Sequence, residues 1–380
     1  MNESLDYDAD AYFMILFPDF SLDSKDFWIA VATVALKTSE YVKYANFFVA
    51  AIALIPNFFH LIVLTRKSMR TMPIHIFIFG IGLCDFTRIA LFLVMNIPQL
   101  WTTYQNLENP DCIPPLSYFE MARNEFYTIA VSVCEQSSIW LGVVMAVFRT
   151  LLIKYPLSHR LHRMSTLKYK LLPIISILLI IISLWIPKYL RYRIRIFGIW
   201  FPPPICDKFP KNYSQPLYFM EETKIFDGEI TFQNLTFLEG IVFFLIPSII
   251  LPIATISLII DLKKPSRSQE NRDRSSKLVT FMTISFMIAM VPYSGLYIIN
   301  FVQSKSNGIR FILRCIEVIF SFLITINNSL HCVLCYLMST KYREAVKSMF
   351  NKTNTVDIQM SDQRMTSVRN PRSTFSVKIE

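Results

Sequence analysis

The sequence predicts an all-α membrane protein: a seven-transmembrane helix bundle with a short amphipathic helix on the inner leaflet. Three observations predict it. Seven separate apolar blocks each reach about 20 residues, the length a helix needs to cross the hydrocarbon core. Of 380 residues, 53% are hydrophobic and only 17% are charged, against about 25% charged in a soluble domain, and the mean hydropathy is +0.40. Lys and Arg gather in alternate loops, as they do in multi-pass proteins.

The blocks run over about 44–64, 73–98, 126–148, 171–190, 238–260, 278–301 and 313–337. Pro56, Pro98, Pro187, Pro247, Pro252 and Pro292 lie within or at the ends of them. A membrane bundle tolerates such prolines because neighbouring groups satisfy the freed carbonyls. The stretch 27–36 is too short to span and is expected to be interfacial or extracellular, within an outer N-terminal segment of residues 1–40. Residues 339–350 place Tyr342, Val346, Met349 and Phe350 on one helical face and Lys341, Arg343 and Lys347 on the others, the pattern of an inner-leaflet amphipathic helix. The tail, 351–380, mixes Ser, Thr and Arg and is expected to be disordered and open to phosphorylation.

Charge sets the orientation. The loops after spans 1, 3 and 5 hold 14 Lys and Arg, from Arg66 to Lys277, whereas 99–118 and 302–312 hold only Lys305 and Arg310. This places the N-terminus outside and the tail inside. The long outer loop 191–236 carries six cations, but long loops obey the rule weakly. Sequons at Asn2 and Asn212 fall outside and are candidate glycosylation sites; Asn234 does too but lies close to the bilayer. Seven Cys are too few for a disulfide scaffold. Cys112 and Cys206 both face the oxidising side, where a bridge between them is expected; the alternative is two exposed free thiols.

Other classes fit poorly. The basic residues lie between spans, which excludes a nucleic-acid binder. A transporter would favour repeated halves and Gly-broken helices, but there are 8 Gly and no repeat. An intramembrane protease needs a second core Asp or a Ser/His dyad, and neither is apparent, so no enzyme is expected; His331, alone in an apolar span, reads as packing.

The motifs resemble a known family. Asn57 in span 1, Asp85 in span 2, Arg149 with Pro156 at the end of span 3, Trp185 and Pro187 in span 4, Pro247 and Pro292, and NNSLHCVLCY (327–336) are similar to landmarks of rhodopsin-like G-protein-coupled receptors. More narrowly, NFFHLIVLTRKSMRT (57–71), PDCIPPLSY (110–118), WLGVVMAVFRTLLIKYP (140–156), KLVTFMTISFMIA (277–289) and NNSLHCVLCYLMSTKYR (327–343) resemble nematode serpentine receptor class W, itself similar to receptors for FMRFamide-like peptides. The resemblance covers about 40–350.

It implies a plasma-membrane receptor that binds an extracellular ligand and activates a heterotrimeric G protein. The ligand would be a neuropeptide, or alternatively a non-peptide environmental chemical; arrestin and membrane lipid are further implied partners. Switch residues would be Arg149, Pro292 and Tyr336. Asp85, Ser138, Asn328 and Ser329 look like a sodium-binding cluster, the alternative being a protonated, hydrogen-bonded Asp without an ion; no other cofactor is implied. Tyr127, Val131, Tyr293, Tyr297, Asn300 and Glu317 would line the ligand pocket, with Glu120, Glu125 and Glu317 near its mouth available to a ligand Arg. If Asp85 and Ser138 share a depth, Arg88 and Glu135 share the next turn outward and should pair on the pocket floor; either could instead meet ligand, water or Asp85. The sequence also departs from the pattern. Phe148 stands where an acid precedes the inner Arg, Thr150 replaces Tyr, Met290 replaces Trp, and Cys332-Val333 replaces Asn-Pro. A Phe cannot form the inner carboxylate lock on Arg149, which favours high basal activity.

Overall fold

A computed structural model describes residues 16–18, 20–70, 73–155, 167–190, 192–222, 237–262, 269–302 and 306–350. Seven long helices follow in chain order: α1 Leu22–Leu64, α2 Pro73–Gln105, α3 Tyr118–Lys154, α4 Leu167–Leu190, α5 Ile246–Leu262 with a preceding π-helical turn Gly240–Leu245, α6 Gln269–Val302 and α7 Asn307–Met338. The amphipathic α8, Thr340–Phe350, follows at once. Contacts run α1 to α2, α2 to α3, α3 to α4 and α5, α5 to α6, α6 to α7 and α7 back to α1. This closes a bundle around α3.

Five of these helices, α1, α2, α3, α5 and α6, are long and apolar enough to cross a membrane on their own. The apolar stretch of α4 is shorter, Leu171–Pro187. In α7, Asn327, Asn328 and His331 are turned inward and buried, so neighbouring helices rather than lipid receive its polar face. Pro56, Pro98, Pro173, Pro187, Pro252 and Pro292 all lie inside helices, as the bundle allows.

The first span is longer than its apolar block. At 43 residues α1 is about 64 Å long, against a hydrocarbon core of about 30 Å. The stretch 27–36 continues the same helix, which therefore extends beyond the length a single crossing needs. Phe17 folds against the start of α7, stacks on Trp28 and is fully buried. A side chain at Gly308 would collide with that ring.

Within 191–236, the described residues 192–222 form an antiparallel hairpin, β1 Tyr192–Trp200 with β2 Gln215–Glu222, bulged between Ile196 and Gly198. Arg195 pairs with Glu221 across it. Cys112 and Cys206 form a disulfide that ties the hairpin's turn to the entry of α3. Asn212 lies in that turn, exposed, with a left-handed φ of 72°, which Asn tolerates better than most residues. Asn2, Asn234 and the tail lie outside the described residues.

At the opposite end, α8 docks through Tyr342. Its ring is buried, and its hydroxyl lies 2.9 Å from His60 Nδ1 of α1 and 3.6 Å from Cys332 Sγ of α7. Tyr342 and Ala345 join the main apolar core, so α8 is part of the bundle rather than an appendage.

Candidate ligand pocket and inner switch

The hairpin half of the bundle gathers polar groups on α2, α3, α6 and α7. Arg88 Nε donates to Glu135 Oε2 at 2.9 Å, and Arg88 Nη1 donates to Thr325 Oγ1 at 3.3 Å. The sequence-derived partners are thus brought together, with α7 as a third contributor. Between α6 and α7, Tyr293 donates to Glu317 Oε1 at 3.1 Å. Tyr293 and Tyr297 pack their rings on Phe244, each with centroids 4.9 Å apart. Glu317 is exposed on its other side.

Thr325, Phe244, Gln136 and Glu239 have no precedent in the sequence reading. Gln136 donates to Glu239 Oε1 at 3.0 Å and accepts from Trp185 Nε1 at 2.7 Å, linking α3, α4 and the entry of α5. Beside Glu239 the π-turn places Gly240 so close under Tyr297 that a side chain would strike the ring. π-turns often mark functional sites, but nothing in an apolar block announces one. Glu135, Glu239 and Glu317 all lie within electrostatic reach of Tyr297. Tyr127, Val131 and Asn300 are half-buried at the same end; Tyr127 packs on Phe126.

Glu120 does something other than wait for a ligand. It accepts from the Ser117 backbone N–H at 2.9 Å and from the Ser117 hydroxyl at 2.7 Å, closing a capping box at the start of α3. Those hydrogen bonds, the backbone one foremost, hold its carboxyl below the usual carboxylate range. Its charge is a helix cap.

The Asp85 cluster differs from the expected ligand set. Ser138 Oγ donates to Asp85 Oδ1 at 2.8 Å. Asp85 Oδ2 is taken by His331 Nδ1 at 2.7 Å, from the residue that read as mere packing. Ser329 donates to the Thr325 carbonyl at 2.7 Å rather than to Asp85. Asn328 is buried nearby on α7, while Asn57 donates to the Ala53 carbonyl of its own helix.

The switch residues lie toward α8. Arg149 is 4% exposed. Phe148 packs on Phe77 of α2, with ring centroids 5.8 Å apart. Thr150 Oγ1 donates to the Ala254 carbonyl of α5 at 3.1 Å. Apolar contact and one hydroxyl therefore hold α3 to its neighbours where a carboxylate lock was absent. Tyr336 is 44% exposed, and the buried tyrosine at this end is Tyr342. Pro292 lies inside α6, one residue before Tyr293.

The family model for the serpentine-type seven-transmembrane G-protein-coupled chemoreceptors Srw matches residues 44–353. The chain belongs to that family. It is a multi-pass membrane protein of the G-protein-coupled receptor class, and the Cys112–Cys206 bridge and helical bundle are the structural side of that membership. The Srw match begins at Tyr44, within α1. A search of curated proteins returned no match.

Proposed function

We propose that this Srw receptor binds an extracellular ligand bearing a cation beside an aromatic group, most simply an amidated neuropeptide ending in Arg-Phe-amide, and signals through a heterotrimeric G protein. The carrying observation is Glu317. It accepts a single described hydrogen bond, from Tyr293, stands exposed at the hairpin end, and has the Tyr293–Tyr297–Phe244 aromatic wall beside it. A guanidinium would engage its second oxygen in the strong charge-assisted geometry, and a ring would pack on the tyrosines. The N-terminus and hairpin lie outside and α8 lies inside in this reading, following the charge bias of the loops.

Signalling follows as a population shift. In this reading the resting inner face keeps Arg149 buried, while its chain neighbours Phe148 and Thr150 tie α3 to Phe77 and the Ala254 carbonyl. Ligand that favours the open form exposes Arg149 to the C-terminal carbonyls of a G-protein helix, and G protein raises ligand affinity by the same factor. The chemoreceptor description of the family favours a second reading, a small environmental cation in the same cleft. A G-protein activation assay against a library of amidated peptides separates the two. A response to peptides with a terminal Arg-Phe-amide, lost in Glu317→Gln at equal surface expression, supports the first. Silence to every peptide, with a response to small amines, sinks it.

A further inference from the structure

We propose that His331 fills the place an ion would take beside Asp85, so that the core of this receptor is held by an internal imidazole and is insensitive to sodium. Sodium needs several hard oxygen ligands with lone pairs facing it. Here both carboxylate oxygens of Asp85 are engaged, Oδ1 by Ser138 at 2.8 Å and Oδ2 by His331 Nδ1 at 2.7 Å. One proton lies between that ring nitrogen and the carboxyl oxygen, since two lone pairs at that distance would repel. Ser329, the remaining hydroxyl of the expected set, is turned back onto the Thr325 carbonyl.

A second observation is independent of those bonds. A cavity of about 40 Å³ lies among α2, α3, α5, α6 and α7. Ser138 and His331 line it, but Asp85 does not, and Asp85 is 0% exposed. An ion entering the cavity would meet the two residues that hold the carboxylate instead of the carboxylate itself. Glu135, the carboxylate that does line the cavity, is bonded to Arg88. Its remaining polar lining is Ser138, Thr283, Asn327 and Asn328, all neutral, and the Asn327 side-chain oxygen is buried without a hydrogen-bond partner among the described residues; the space admits a few waters. That set suits water rather than a bare cation.

The test is thermal unfolding of purified receptor in nanodiscs, with sodium chloride exchanged for choline chloride at constant ionic strength. A site filled tenfold over its dissociation constant at 150 mM sodium would raise Tm by about 3 °C. The wild type is expected to stay flat. His331→Ala frees Oδ2 and opens Asp85 to the cavity, and its Tm is expected to rise with sodium by about that amount. A saturable, sodium-specific rise in the wild type that disappears in Asp85→Asn overturns the proposal. So does a flat response in both wild type and His331→Ala, since the histidine would then not be what excludes the ion. Should His331→Ala fail to fold, the wild-type titration still decides the first of these outcomes.

Discussion

Exchanging the charges of Arg88 and Glu135 probes the electrostatics of the bundle core. The two side chains are 4% and 12% exposed and meet at 2.9 Å. Removing one partner of such a buried pair strands the other at a cost of about 3–5 kcal/mol. Reversal is worse, because Glu135→Arg sets two guanidinium groups face to face, and Arg88→Glu adds a carboxylate one turn from Asp85 and opposite Glu135. Against a total stability of about 5–15 kcal/mol, each single reversal should abolish most surface expression. The double reversal restores opposite charges across the same gap. Its recovery should be incomplete, because Arg88 also donates to Thr325 at 3.3 Å and a Glu at that position cannot, a loss of about 1 kcal/mol. Flow cytometry of an epitope-tagged chain and Tm of solubilised receptor both read the coupling. The expected coupling energy is about 2 kcal/mol or more, at the upper end for contacting residues. Additive single and double variants would refute the reasoning, since the pair would then contribute no mutual stabilisation.

Further outcomes follow from other contacts. Phe148→Ala removes the ring that packs on Phe77 and should raise ligand-free G-protein activation, read as basal nucleotide exchange at matched expression; unchanged basal signal would show that this contact does not hold the closed face. Gly308→Val drives a side chain into Phe17 and should lower Tm by as much as Phe17→Ala, which costs about 3–5 kcal/mol, with the double variant no worse than either alone. Tyr342→Phe leaves the His60 ring nitrogen unpaired at a cost of about 1–3 kcal/mol and should speed hydrogen exchange in α8 more than elsewhere. The capping carboxylate of Glu120 has a depressed pKa, so its contribution is present above the usual carboxylate pKa and is lost as pH falls below it; Glu120→Gln should flatten that acid dependence of Tm.

The spans were legible in the sequence because each must bury about 20 apolar residues, a constraint that leaves little freedom. The hairpin was legible in principle: Tyr192-Arg-Ile-Arg-Ile alternates with period two, but its second strand, separated by a 14-residue turn, lacks a matching alternation. The continuity of α1 was hidden by Lys37, Glu40 and Lys43, which break the hydropathy without breaking the helix; no Gly or Pro interrupts 22–55. The Arg88–Glu135 pair could be inferred from depth alone, since two charges at one level of a bundle are costly apart. The His331–Asp85 contact could not, because family pattern pointed to Ser329. Its signal was in α7 itself: Ile324, Asn327, Asn328, His331 and Cys335 share the buried face at helical spacing, and Ser329 lies off it.

The central claim, a receptor whose inner arginine engages a G protein when the bundle opens, is tested most directly by nucleotide exchange on a purified heterotrimer. Wild-type receptor in nanodiscs should accelerate exchange above the receptor-free rate, and Arg149→Ala should return it to that rate while surface expression in cells is retained. Equal acceleration by both chains would contradict the account.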